Sequence, residues 1–387
     1  MANIMNLKSL RNNVSRNGFD LSFKKNFTAK AGELLPVMVK EVLPGDKFSI
    51  NLSSFTRTQP INTAAFARMR EYYDFFFVPY NLLWNKADTV LTQMYDNPQH
   101  SNQIDPSFDK MTGQMPYITA EQIVHYIYTR SLGFNTLYGK NYFGYDRSSL
   151  SCKLLEYLGY GNYHSFLPET LGVSHTDSYD SSTTGLINNL AMNVFPLLAY
   201  QKIYADFFRD SQWEKISPST FNVDYMTGTT DMQIPIPFNT SDTYIKSAFF
   251  TNYNFFDLRY CNWQKDLFHG LMPHSQYGAS SYVPVDVVNT EDTSSFTSVS
   301  RDDGKSVIRG QADMSILLLR QYEFLQKWKE IAQSGNKDYK EQVNKHWNVA
   351  VGDYASEMCQ YLGGVTTNID INEVVNTNIT ESNAADI

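Results

Sequence analysis

A chain of 387 residues is long enough to bury a substantial core, as one large domain or two smaller ones. A net charge of −8 and a pI near 5.4 exclude a protein whose whole surface binds nucleic acid. Aromatic residues at 14% against charged residues at 19% point instead to a chain that turns tyrosine- and phenylalanine-rich surface towards partners.

Charge is unevenly spread. Residues 1–30 carry Lys8, Arg11, Arg16, Lys24, Lys25 and Lys30 against the single acid Asp20, and read as a basic, extended arm. Such arms are a common nucleic-acid contact, but short ones are often merely solvated. Lys8, Arg11, Arg16, Lys24 and Lys25 are the candidate nucleic-acid contacts. At the other end, 365–387 holds Asp370, Glu373, Glu381 and Asp386 and no base.

After the arm, an apolar run over 34–42, a Pro44-Gly45-Asp46 turn and an alternating run over 47–55 predict a β-hairpin. Phe48, Ile50 and Leu52 share one face of its second strand. Tyr72 to Tyr80 (YYDFFFVPY) is aromatic at both parities, which predicts a central strand buried on both faces. Pro79 ends it, because proline lacks the donor that a central strand needs. A short helix is expected over 82–94.

Residues 95–189 are rich in Gly, Ser, Asn and Tyr and read as a long insertion holding one helix, near 119–129. Its end, 174–185, is low in apolar content. Phe195–Asp210 has helical spacing through Leu198, Lys202, Ala205 and Phe208. Residues 223–237 look irregular and 289–306 form a polar loop. The clearest helix follows, with Asp313 as N-cap, Leu318, Tyr322, Leu325, Trp328 and Ala332 on one face, and Ser334-Gly335-Asn336 as its stop. Short strands separated by long insertions predict a β-sandwich or barrel with helices in its loops.

No catalytic motif survives inspection. Gly304-Lys305-Ser306 resembles the end of a phosphate loop, but Val299 stands where its first glycine is required. Asp266, His269 and His274 are close in sequence, yet Gly270 and Pro273 interrupt any helix, so polar loop histidines are expected rather than a metal site. Asp74 and Asp257 beside phenylalanines are the kind of acids a glycosidase uses, but neighbours of this kind arise by chance among 40 acids. Cys152, Cys261 and Cys359 are too few and too separated for a disulfide framework or cysteine zinc site, so buried thiols in a reducing cytoplasm are expected. No run approaches the ~18 apolar residues of a membrane span. Neither enzyme activity nor a cofactor is expected.

Seven separated blocks, in order, resemble the major capsid protein of microviruses, small icosahedral phages with single-stranded DNA. They are GFDLSFKKNFTAKAGELLPVMVKEVLPGDKF (18–48), FTRTQPINTAAFARMREYYDFFFVPYNLLW (55–84), FPLLAYQKIYADFFRD (195–210), LRYCNWQKDLFHGLMPHSQYG (258–278), ILLLRQYEFLQKWKE (316–330), HWNV (346–349) and YLGG (361–364). The second is the most specific, and the set is nearest the gokushovirus branch.

The resemblance implies a mainly β fold, an eight-stranded antiparallel jelly roll over 31–387 with loop insertions at about 95–190 and 279–312. It implies a structural, non-enzymatic subunit that assembles with itself into an icosahedral shell around single-stranded DNA. Other virion proteins and a host surface receptor would be further partners. The subunit would reside in the virion after assembly in the host bacterial cytoplasm, without membrane insertion. Family members extend beyond Ile387, which implies that the last jelly-roll strands lie past this chain. The loop after Tyr277 is shorter than the family's spike-bearing insertion while the 95–190 insertion is longer, which implies either no spike or one built from a different loop. A carbohydrate-binding or glycoside-cleaving β-sandwich is the alternative that the tyrosine content also fits.

Overall fold

The structure, a computed structural model, describes residues 17–58, 69–92, 115–120, 122–124, 126–127, 142–164, 167, 190–210, 213–226, 254–262, 298–300, 306–308, 316–335, 337–352 and 356–369. In chain order its elements are β1 (Met69–Phe77), α1 (Ala87–Thr92), β2 (Tyr117–Thr119), α2 (Tyr142–Leu158), β3 (Ala191–Asn193) and α3 (Phe195–Ile203). There follow β4 (Ser298–Ser300), β5 (Ser306–Ile308), α4 (Ile316–Gln333), α5 (Tyr339–Trp347) and β6 (Gln360–Ile369). The strands form three two-stranded antiparallel ladders, β1·β6, β2·β3 and β4·β5. Among the described residues helix and strand are therefore mixed, and eight strands do not join into one sandwich.

The core is built on helices. On α3, Phe195, Leu197 and Leu198 are buried, and Pro196 in its first turn supplies the fixed φ that a helix start tolerates. Phe195 stacks on Tyr80 at 4.5 Å and approaches Trp84 at 6.4 Å. Phe255 and Phe256 are fully buried below them, with Phe256 4.4 Å from the Tyr126 ring. Gln201 donates from Nε2 to the carbonyls of Phe255 and Asp257, both at 2.9 Å, and its Oε1 accepts from Arg259 Nε at 2.8 Å. A buried amide is stable only when so satisfied. Tyr200 extends the same tie, donating to the Leu34 carbonyl at 2.9 Å and accepting the Arg259 amide at 2.8 Å.

Four sequence expectations change. Residues 34–55 keep the predicted turn, where the Asp46 amide donates to the Leu43 carbonyl at 3.0 Å and Gly45 takes φ +90°. The two runs do not pair, and Phe48 and Ile50 remain exposed while Leu52 is half-buried, so the face that their alternation offers is covered only at its end. The insertion holds a second helix, α2, whose Cys152, Leu154 and Leu155 enter the core. Its serines and glycine mask it in the sequence, since propensity yields to tertiary burial. Ser298–Ser300, in the expected loop 289–306, pairs as β4 with β5 at the end of that loop and just past it. Cys152 and Cys359 are buried, but Cys261, next to the isolated bridge of Glu33 with Tyr260, is exposed.

Other expectations hold. The helix near 119 opens on a capping box in which the Gln122 amide donates to Thr119 Oγ1 and the Thr119 amide to Gln122 Oε1. The expected helix over 82–94 is a 3-10 turn, Tyr80–Leu82, followed by α1, and α4 ends at Gln333 just before the expected stop. Asp313, 174–185, Asp266, His269, His274 and Gly304 lie outside the described residues.

Burial raises the pKa of several phenols. Tyr73 is pushed up to about 12 by burial and then by Glu71, whose carboxylate accepts its hydroxyl; Tyr160, Tyr200 and Tyr204 also rise, first by burial. A group whose folded pKa is raised adds stability that is complete below its unfolded pKa, about 10 for tyrosine, and lost above it. Alkaline titration is therefore expected to ionise the exposed tyrosines first. The buried set should ionise only with loss of near-ultraviolet dichroism, and a single smooth rise in tyrosinate absorbance with tertiary signal intact would contradict this.

Candidate interaction surface

The aromatic run forms β1, and its burial alternates along most of its length. Met69, Glu71, Tyr73 and Phe75 are half-buried, whereas Arg70, Tyr72 and Asp74 are exposed. The phase shifts at Phe76, which is half-buried next to Phe75. The ladder shifts there too, since Phe75 pairs with Gly363 and Phe76 with Tyr361, leaving Leu362 as an extra residue on β6. The extra residue bends β6, the bulged strand. Phe76 then meets Phe207 at 4.8 Å, Tyr361 at 5.5 Å and Phe208 at 6.0 Å.

Among the described residues the strand expected to be central and buried on both faces is one half of a two-stranded ladder, and Tyr72, Asp74 and Phe77 stay exposed on it. Aromatics at both parities find partial cover: Tyr73 and Phe75 are half-buried on one face, and Phe76 meets Phe207 and Phe208 on the other. Tyr72, Phe77, Tyr361, Leu362 and Val365 are exposed. These exposed apolar side chains lie on both faces of the ladder and make it the candidate contact surface.

The two glycines of YLGG make the bulge. Gly363 sits at φ +130°, where a side chain is strained. At Gly364 an added Cβ would lie 2.7 Å from the Tyr73 carbonyl oxygen and 2.8 Å from the Tyr361 hydroxyl. That hydroxyl donates to Asp74 Oδ1 at 3.1 Å, so the acid beside the aromatics is a strand-to-strand tie. Asp257, the other such acid, is buried beside the Gln201 amide.

The root of β6 is held by two carboxylates. Asp206, in the π-helical turn Tyr204–Phe208 after α3, accepts the Cys359 amide at 2.9 Å and pairs with Lys202 Nζ at 2.9 Å. Lys202 also donates to the Glu357 carbonyl at 2.8 Å. Asp338 stands at the start of α5, yet its carboxylate accepts from Ser356 Oγ at 2.9 Å and the Glu357 amide at 3.3 Å. The Lys202–Asp206 spacing is visible in sequence as an i,i+4 pair, but only the tertiary structure shows it to be buried.

Helices α4 and α5 carry a second apolar surface. Trp328 stacks on His346 at 3.8 Å and meets Trp347 edge-on at 5.4 Å. Phe324 and Trp347 remain exposed, as do Leu325 and Trp328 of the predicted α4 stripe.

The arm candidates divide. Lys8, Arg11 and Arg16 lie outside the described residues, and Lys24 is exposed. Lys25 is turned inward: Nζ donates to the carbonyls of Tyr157 at 2.9 Å, Pro36 at 3.2 Å and Val37 at 3.3 Å. It also sits 4.8 Å from the Tyr157 ring centroid. Burial holds its pKa below the ordinary lysine value, with Glu156 pulling the other way. Three carbonyls use its three donors, so Lys25 fastens the arm to the C-terminal end of α2.

Among the described residues no group of three or more His, Cys, Asp and Glu is gathered in a way that could hold a metal ion. No helix among them is long and apolar enough to cross a membrane.

Comparison with known proteins gives one consistent result. A family model described as capsid protein (F protein) matches residues 8–128 and 168–386. Capsid protein VP1 of Chlamydia phage 1 is 24% identical over 405 residues, covering 95% of this chain and 65% of the relative. Capsid protein VP1 of Bdellovibrio phage phiMH2K is 25% identical over 197 residues, covering 51% of this chain and 26% of the relative. The chain thus spans about two thirds of the length of the first of these relatives and about a quarter of the second.

Proposed function

We propose that this chain, which belongs to the capsid protein (F protein) family, is a major capsid protein whose copies assemble into an icosahedral shell enclosing a single-stranded DNA genome. The observation that carries the reading is the family match over residues 8–128 and 168–386, which includes the β1·β6 ladder with its exposed aromatic side chains. A shell subunit needs such surface, because closed symmetry repeats each weak contact many times. The role is structural rather than catalytic, and the working location is the virion, after assembly in the host cytoplasm. Other virion proteins and a host receptor complete the partners.

An eight-stranded jelly roll is the fold that this reading carries, with 31–387 as the part of it in this chain and insertions at about 95–190 and 279–312. Support comes from antiparallel pairing between strands almost 300 residues apart, since Tyr361 and Asp74 are separated by 287 positions. Sandwich folds with long return connections make such pairings.

Lys8, Arg11, Arg16 and Lys24 are read as genome contacts, neutralising phosphate without sequence preference. Lys25 belongs to the same basic arm and anchors it. Electron microscopy of the expressed chain is expected to show uniform small shells, and monodisperse monomers that bind glycan would return the carbohydrate-binding alternative. Changing Lys8, Arg11, Arg16 and Lys24 together to Ser should weaken retention of single-stranded DNA. The salt slope should flatten by about 0.7 per lost phosphate contact. Lys25→Ser alone is expected to lower stability and leave that slope unchanged; an equal loss of slope from Lys25→Ser would place it among the genome contacts.

A further inference from the structure

Helix α4 carries a row of residues that the fold leaves in water. Ile316, Arg320, Glu323, Lys327 and Glu330 follow one another at intervals of four, three, four and three, so they share one helix face. All five are exposed, Ile316 at 71%. Leu319 and Phe324 flank the row and are exposed at 43% and 67%. The opposite side, with Tyr322, Gln326 and Lys329, is half-buried.

The order of charges has a symmetry. Arg320 and Glu330 stand five residues either side of Leu325, and Glu323 and Lys327 stand two either side. Leu319 and Ile331 stand six either side. Reversing the helix about Leu325 therefore puts every base of this row over an acid, and leucine over isoleucine.

We propose that α4 pairs antiparallel with α4 of a second copy of this chain, across a two-fold axis level with Leu325. In that pair Arg320 faces Glu330 of the second copy and Glu323 faces Lys327, and each contact occurs twice because a two-fold interface is self-complementary. Leu319 and Ile331 close over the charged row from both sides. The same charges also attract within one helix, Glu323 to Lys327 at i,i+4 and Arg320 to Glu323 at i,i+3. A solvated ladder of that kind leaves Ile316, Leu319 and Phe324 in water, whereas pairing covers them. The inference rests on the reading of the chain as a shell subunit and names one of its contacts.

Two charge reversals separate these accounts by sedimentation velocity. Glu323→Lys sets a lysine against Lys327 of the second copy, and Lys327→Glu sets a glutamate against Glu323. Each variant alone is expected to raise the dimer dissociation constant about tenfold or more, since like charges are then opposed. Mixed in equal amounts they should pair with wild-type strength, because both lysines of the first variant then face glutamates of the second. An intrahelical ladder is broken in both variants and gains nothing from mixing. A monomeric wild type, or a mixture no tighter than either variant, overturns the proposal. Micrographs of the same samples keep the two readings apart. Wild-type shells with an unrecovered mixture remove this contact alone, and wild-type dimers that never form shells leave the contact and remove the shell.

Discussion

Gly364→Ala is expected to destabilise the chain by about 2–3 kcal/mol, the scale of forcing an extra carbon into a packed site. The added Cβ would stand 2.7 Å from the carbonyl oxygen of Tyr73, a backbone atom that cannot move without opening the ladder, and 2.8 Å from the Tyr361 hydroxyl. Relieving the first overlap separates β1 from β6; relieving the second breaks the Tyr361–Asp74 tie. The neighbouring change makes the control. Gly363 has nothing within 4 Å of an added Cβ, so Gly363→Ala meets only the strain of φ +130°, of order 1–2 kcal/mol. Urea unfolding of both variants should therefore rank Gly364→Ala below Gly363→Ala, and the reverse order would mean that backbone conformation rather than close approach fixes this bulge. In the shell reading the same variant should also lose assembly, because the placing of the exposed Tyr72 and Tyr361 relative to each other depends on the register that the bulge sets.

How far these features can be read in the sequence depends on their range. The end of β1 at Phe77 follows from Pro79 alone, and the start of the helix after β2 follows from Thr119 and Gln122, three residues apart. Local chemistry is sufficient there. The covering of β1 is not local. A run of aromatics at both parities has the same pattern whether each face is covered fully or in part, and the residues that decide it, Phe207, Phe208 and Tyr361, lie 130 or more positions away. Helix α2 is hidden for a related reason: Ser148, Ser149, Ser151 and Gly144 weaken its propensity, and the burial of Cys152, Leu154 and Leu155 against distant segments overrides it. The 34–55 hairpin errs in the other direction, since its turn is encoded locally whereas its pairing needs a surface to cover Phe48 and Ile50. Lys25 shows the same limit in the functional surface. Composition places it with the other arm bases, and only the carbonyls of Pro36, Val37 and Tyr157 separate its role from theirs.

The second large effect is expected at Asp206. Its carboxylate and the Lys202 ammonium are 2.9 Å apart with side chains only 5% and 9% exposed, and together they serve two backbone groups at the root of β6, the Cys359 amide and the Glu357 carbonyl. Asp206→Ala leaves the lysine charge buried and the Cys359 amide without its acceptor. Removing one member of a buried pair costs about 3–5 kcal/mol, chiefly through the charge left behind. Lys202→Met combined with Asp206→Ala removes both charges, and methionine follows the path of the lysine stem. The double variant is therefore expected to be more stable than Asp206→Ala alone, a strong coupling in a double-mutant cycle. Hydrogen exchange reports where the loss falls: Cys359 and the first residues of β6 should exchange faster in Asp206→Ala, while α3 stays protected. Additive single effects, or unchanged exchange at Cys359, would mean that Asp338 alone holds the strand root. The difference matters for assembly, because a β6 that frays from Gln360 onward exposes the edge of β1 to pairing with any strand that reaches it.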